Sequence, residues 1–164
     1  MCKWDQGPSR QISFPLSIYI KGVVVKKRSG LPNGVIFHED IDLLVWKPVG
    51  IVTEPIVNTI LSFLDHHETA HPRPFNRLTD TSAQEAMELN HEYVFQVALY
   101  RRMVFADRPR AKSAFYVIKP EIAQLIRIHA MVINRSPLEI AMFERYQAAA
   151  TWLGVPLTRL QAGA

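Results

Sequence analysis

The chain has 164 residues, of which 48% are hydrophobic and 21% are charged, and its formal net charge is +4. These values are typical of one globular domain and exclude a chain with too few apolar residues to form a core. The single cysteine, Cys2, excludes an internal disulfide. No apolar run in the sequence approaches the roughly 20 residues that a membrane-spanning helix needs, so we expect a cytoplasmic protein.

The basic excess lies at the N-terminus. Residues 1–33 contain six basic residues and one acidic residue, whereas the remainder of the chain is nearly neutral. Apolar residues alternate with others over residues 12–20, which is typical of a strand with one buried face. Pro15 lacks an amide donor and restricts such a strand to a sheet edge. We predict that residues 1–33 form a basic arm with a possible edge strand.

The next segment predicts a β-hairpin and a helix. Val35–His38 and residues 41–47 are two short apolar stretches, and the two acidic residues between them mark the turn. Thr53 then offers a side-chain oxygen as helix N-cap, and Pro55 stands in the first turn, where a missing N–H costs little.

Three further strand-then-helix units follow along the chain. Their predicted strands cover residues 75–80, 114–118 and 138–143, and their helices begin after Asn90, at Pro120 and at Tyr146. The strand over residues 114–118 is continuously apolar, as expected for a strand buried on both faces of a parallel sheet. The alternation predicts an α/β domain with a mostly parallel sheet over residues 34–156, followed by an unpatterned tail over residues 157–164.

This order of elements resembles the SpoIIAA-like, or STAS, fold, and in particular the bacterial proteins labelled SpoIIAA-like or STAS/Sec14-domain. The resemblance covers residues 34–156. It is carried by the segments IDLLVWK at 41–47, GIVT at 50–53, FNRLTD at 75–80, KSAFYVIK at 112–119 and FERYQAAATWLG at 143–154. It implies a hairpin followed by four strand-helix units, and a non-catalytic regulatory or protein-interaction role.

The resemblance also shows one departure from the family pattern. Classical members antagonise anti-sigma factors and are phosphorylated on a serine in an Asp-Ser-Ser-Gly-like turn that opens the second helix. The matching stretch here, residues 87–92, contains no serine, threonine or glycine, which disfavours a phosphorylation switch there. For the upstream hydroxyls of Thr79, Thr81 and Ser82 we expect turn and capping hydrogen bonds.

Polar residues near the ends of predicted strands form the candidate ligand site. Open α/β folds bind ligands beyond the carboxyl ends of their strands. The side chains expected there are Asp80, Asn90, His91, Thr53 and Lys119. The sequence contains neither a glycine-rich phosphate loop nor a nucleophile elbow, so we predict no catalytic residue, no cofactor and no enzyme activity.

Two other groups of residues receive a structural interpretation. His66, His67 and His71 cluster at a helix end, but their spacing does not predict a metal site. Five basic residues within residues 101–112 are interpreted as a solvated helix end. Because aromatic residues do not interleave them, we do not expect a nucleic-acid partner. We expect His129, on the nearly all-apolar third helix, to be buried against a neighbour or to line a pocket.

Three functions remain open at this point. The first is a protein-interaction domain, most simply a homodimer, with contacts on the second and third helices at Tyr93, Tyr100, Met103, Met131 and Ile133. The second is a module that binds a small apolar ligand or lipid, which predicts an apolar cavity between helices and sheet. The third is an unrecognised enzyme, which requires polar groups that converge at the strand ends.

Overall fold

The computed structural model describes residues 31–71 and 73–161, so most of the predicted basic arm lies outside the described residues. In the described part the strands are β1 (Val35–His38), β2 (Leu43–Trp46), β3 (Gly50–Thr53), β4 (Asn76–Asp80), β5 (Gln84–Glu88), β6 (Ala111–Tyr116) and β7 (Leu138–Phe143). The α-helices are α1 (Glu54–Ala70), α2 (His91–Val104), α3 (Pro120–Ile133), α4 (Tyr146–Leu153) and α5 (Leu157–Gln161). No helix among these residues has both the length and the apolarity needed to cross a membrane.

The main sheet has the strand order β1-β2-β4-β6-β7. Strands β1 and β2 form the predicted antiparallel hairpin, and all other pairs are parallel. Strand β6 lies between β4 and β7, and Ala114 is fully buried, which confirms an interior strand here. The strand ends at Tyr116, however, and Ile118, which was predicted to be buried in it, is 55% exposed. The mostly parallel α/β architecture is the one that the sequence predicts.

The two faces of this sheet are covered by different helices, because side chains alternate along each strand. Leu43, Val45 and Leu78 belong to a core cluster with residues of α4 and α5. Leu44 and Trp46, which follow Leu43 and Val45 directly in β2, belong to a cluster with α1. Helices α2 and α3 pack against each other, and both contribute with α1 to a cavity on this second face.

A second, two-stranded sheet was not expected from the sequence. Strands β3 and β5 pair in parallel, whereas neither residues 50–53 nor residues 84–88 were predicted to form a strand. Both strands are short, and β5 has the polar sequence QEAME, so neither has the run of apolar residues that marks a strand. Their pairing joins the start of α1 to the segment that leads into α2.

The C-terminal segment also differs from its prediction. Residues 157–164 were expected to lack structure, but Leu157–Gln161 form helix α5. Its Leu160 is fully buried against residues of α4 and the sheet. A helix of this length has too few turns for a helical period to emerge from its sequence. Gly154 ends α4 in the left-handed conformation (φ 73°), as its position predicts.

Candidate functional site

Asp80, the first predicted ligand residue, lies at the end of β4 with only 2% of its surface exposed. The Tyr146 hydroxyl donates to Asp80 Oδ2 at 2.5 Å, and the Ser82 amide donates to Oδ1 at 3.0 Å. The Tyr146 ring stacks on Tyr116 at 4.0 Å, and burial raises the pKa of Tyr146 to about 12. Asp80 thus joins the end of β4 to the start of α4.

Lys119 and Asn90, two of the other predicted ligand residues, also make hydrogen bonds that hold the fold together. Lys119 Nζ donates to the carbonyl oxygens of Gln84 and Glu85 at 2.7 and 2.8 Å, which ties the start of α3 to β5. Asn90 caps α2 as predicted, since its Oδ1 accepts from the Tyr93 amide at 2.8 Å.

Thr53 and His91 complete the predicted set. Thr53 occupies the N-cap position of α1, but its side chain makes no capping hydrogen bond, in contrast to the prediction. His91 is exposed at the start of α2. Asn90 Nδ2 donates to Glu54 at 3.4 Å, so the starts of α1 and α2 are neighbours. Within the described residues, no hydrogen bond joins any two of the five predicted ligand side chains.

The five predicted contact residues fall into three groups. Tyr93 and Ile133 are only 6% and 1% exposed, so they belong to the interior and not to a surface. The Tyr100 hydroxyl donates to Asp65 on α1. Met103 and Met131 are 55% and 76% exposed and remain available on the surface.

A cavity of about 140 Å³ lies between the sheet and helices α1, α2 and α3. Its wall is mostly apolar and includes Leu44, Val52, Val57, Ile60, Val97 and Ile126. Four polar side chains of β4, β6 and α2 also line it, namely Arg77, Thr79, Ser113 and Arg101. The cavity is in the place where the apolar-ligand hypothesis predicts one.

One carboxylate next to this cavity binds three arginines. Glu68, near the end of α1, forms ion pairs with Arg77 and Arg101 at 2.8 and 2.6 Å through Oε1, and with Arg108 at 2.8 Å through Oε2. Arg101 also donates to Asp65 at 2.7 Å. The side chains of Glu68, Arg77 and Arg101 are 5%, 7% and 2% exposed. We call Asp65, Glu68, Arg77, Arg101 and Arg108 the arginine cluster.

An aromatic ring packs against the same arginines. The guanidinium carbons of Arg77, Arg101 and Arg108 lie 5.4, 4.9 and 5.7 Å from the centre of the Phe105 ring. Phe105 is itself 2% exposed. The ring face attracts cations and covers the arginines with an apolar surface.

Burial and charge act in opposite directions on the two carboxylates. Burial by itself raises the pKa of Glu68, but Arg77 and Arg101 outweigh it, so the pKa is lowered. Burial dominates at Asp65 and raises its pKa despite Arg101 and the Tyr100 hydrogen bond. Burial lowers the pKa of Arg77 to about 10, so Arg77 stays charged at neutral pH.

His129 lines the cavity from α3, one of the two environments expected for it. Burial, with smaller contributions from the charges of Arg101 and Arg77, lowers its pKa from 6.5 to about 4. The ring is therefore neutral at neutral pH. The histidines at the end of α1 pack against aromatic rings and against each other. His67 packs against Phe37 and Phe63, and its ring centre lies 3.8 Å from that of His71.

The arginine cluster was missed by the sequence analysis. Arg101 was interpreted as part of a solvated helix end, but it is buried, and only Arg102 and Arg110 of that segment's arginines are exposed. Arg77 alternates with Leu78 in β4, and a polar residue in such a pattern suggests an outer face. In a sheet covered on both faces, this polar position is buried instead.

A crystal structure from Shewanella loihica PV-4 is similar to this chain, with a TM-score of 0.50 and 18% sequence identity. The similarity covers 78% of this chain and 99% of the Shewanella chain, which is described as an uncharacterized protein from the DUF3478 family with a SpoIIAA-like fold. No protein-family model and no curated protein matches this chain. At this identity the similarity establishes the fold alone. This chain has the SpoIIAA-like fold that its sequence predicts.

We expect His129 to make stability depend on pH. Because folding lowers its pKa from 6.5 to about 4, the folded state loses stability as the pH falls through that range. The loss amounts to at most about 3 kcal/mol. The free energy of unfolding can be measured by urea titration of the wild type and of His129→Leu, each at pH 7 and at pH 4.5. The wild type should lose more stability than the variant, while the exposed-site control His91→Leu should follow the wild type. Parallel losses in wild type and His129→Leu would contradict the assignment.

Proposed function

We propose that this chain is a non-catalytic domain that binds a small apolar molecule in the cavity between the sheet and helices α1, α2 and α3. The observation that carries the proposal is the cavity itself, with its volume of about 140 Å³ and its mostly apolar wall. An apolar cavity of about 150 Å³ stays dry and can bind benzene. The size therefore favours a ligand with one ring or a short chain.

The polar groups at the strand ends support the non-catalytic part of the proposal. A catalytic group must be free to contact a substrate. Asp80 is occupied by Tyr146 and Ser82, and Lys119 by two carbonyl oxygens. The side chain of Asn90 caps α2. These residues stabilise the fold and do not converge on a common point.

Toluene, a neutral single-ring probe, tests whether the cavity binds apolar molecules. We expect toluene to raise the melting temperature of the wild type, because a ligand that binds the folded state stabilises it. Val97→Phe fills space at a cavity residue that is 6% exposed, so it should abolish this rise. The matched control Val49→Phe alters a residue that is 75% exposed, and it should keep the rise.

The stability of Val97→Phe provides a second check. A larger side chain that enters existing space should leave the melting temperature unchanged or raise it. In a closely packed core the same change costs about 1–3 kcal/mol. A strongly destabilised Val97→Phe, or a wild type that toluene does not stabilise, would contradict the proposal.

Self-association is a second candidate, favoured by an exposed apolar stripe on α2. Phe95, Leu99 and Met103 follow at four-residue intervals, so they share one helix face, and they are 50%, 42% and 55% exposed. Exposed apolar residues that form a continuous patch are typical of interaction sites. The exposed Glu92 and Arg102 lie towards opposite ends of the stripe. An antiparallel pair of α2 helices from two copies would bring these opposite charges together.

Sedimentation equilibrium of the full chain measures this association. Leu99→Glu places a charge in the middle of the stripe, so we expect it to shift a dimer towards monomer. Ile118→Glu is the matched control, because Ile118 is 55% exposed and lies outside α2. A wild type that remains monomeric at millimolar concentration would exclude this candidate.

A further inference from the structure

The cavity has a basic end. Arg77 of β4 and Arg101 of α2 both line it, and these residues are 5% and 2% exposed. Arg101 lies eight residues beyond Tyr93, which also lines the cavity from α2. Eight residues of helix span about 12 Å. The charged groups are therefore confined to one end, and a ligand reaching them would meet arginines that are shielded from water.

The charges of the arginine cluster do not balance. Three guanidinium groups, on Arg77, Arg101 and Arg108, face two carboxylates, on Asp65 and Glu68. Glu68 is shared among all three arginines. The cluster therefore carries an excess of one positive charge.

Arg77 has a donor that is not used. Its Nη2 forms an ion pair with Glu68 at 2.8 Å, but its buried Nε has no hydrogen-bond partner among residues 31–71 and 73–161. A buried donor without an acceptor is unfavourable, and an ionised acceptor satisfies it best. The positive field also reaches the cavity wall, since Arg101 and Arg77 add to the effect of burial in lowering the pKa of His129.

We propose that the ligand of this cavity is a small apolar molecule with one negative charge, a short-chain or single-ring monocarboxylate whose carboxylate binds at Arg77. This inference rests on the proposed ligand-binding function and names its ligand class. The apolar wall accommodates the hydrocarbon part, and the cavity volume of about 140 Å³ suits a group of about the size of benzene. One carboxylate would offset the single excess charge of the arginine cluster. A second charge on the ligand would be buried without a counter-ion.

Benzoate and benzamide distinguish charge from shape, because they have nearly the same size and only benzoate is ionised. We expect isothermal titration calorimetry of the full chain at pH 7 to give at least about tenfold tighter binding of benzoate, as charge-assisted hydrogen bonds are markedly stronger than neutral ones. Arg77→Met should remove this preference. Arg110→Met is the matched control, because Arg110 is exposed and lies neither in the arginine cluster nor in the cavity wall. It should keep the preference.

The outcomes separate this inference from the proposed function. If toluene or benzamide binds and benzoate binds no more tightly than benzamide, the anionic ligand class is wrong and the apolar cavity function stands. If neither these neutral compounds nor benzoate binds, both are wrong. A folded Arg77→Met that retains the preference for benzoate would overturn the role of Arg77. Should Arg77→Met fail to fold, the comparison of benzoate with benzamide in the wild type decides alone.

Discussion

Arg77 is buried in the middle of the main sheet, and its charge needs a counter-ion at that depth. Glu68 supplies one from α1, and the same carboxylate binds Arg101 of α2 and Arg108 in the segment that follows. A buried charge left without its partner is strongly destabilising, by about 3–5 kcal/mol. The positions of α1 and α2 over the sheet therefore depend on this one carboxylate. The Phe105 ring packs against the three arginines.

The same constraint accounts for the difference between the two faces of the sheet. On the face under α4, Leu78 and Ala114 are fully buried in a closely packed cluster. On the opposite face, the neighbouring positions carry Arg77 and Ser113, which are paired across β4 and β6. Polar side chains held by hydrogen bonds cannot fill space among helices as leucine does. The cavity lies on that face. Its wall combines apolar residues of the helices with the basic side chain of Arg77 from the sheet.

Local patterns in the sequence were sufficient to predict the elements of the main sheet. The limits of β7 and the start of α4 were predicted to the residue, because apolar residues repeat there with the period of a strand or a helix. The β3–β5 pair was missed, since two short strands that are distant in sequence leave no local period. The arginine cluster was missed for a related reason: a basic residue near the end of α2 already has a local explanation, and only tertiary contacts bring Arg101 to Glu68. Of the predicted ligand residues, Asp80, Lys119 and Asn90 make hydrogen bonds that stabilise helix and strand ends.

The central claim is that Glu68 organises the core, and the free energy of unfolding of Glu68→Gln tests it directly. The matched control is Glu139→Gln, because Glu139 pairs with Arg110 at 3.8 Å on the exposed surface. Urea unfolding at pH 7 should give a loss of about 3–5 kcal/mol for Glu68→Gln and less than about 1 kcal/mol for Glu139→Gln. Equal, small losses for the two variants would contradict the account.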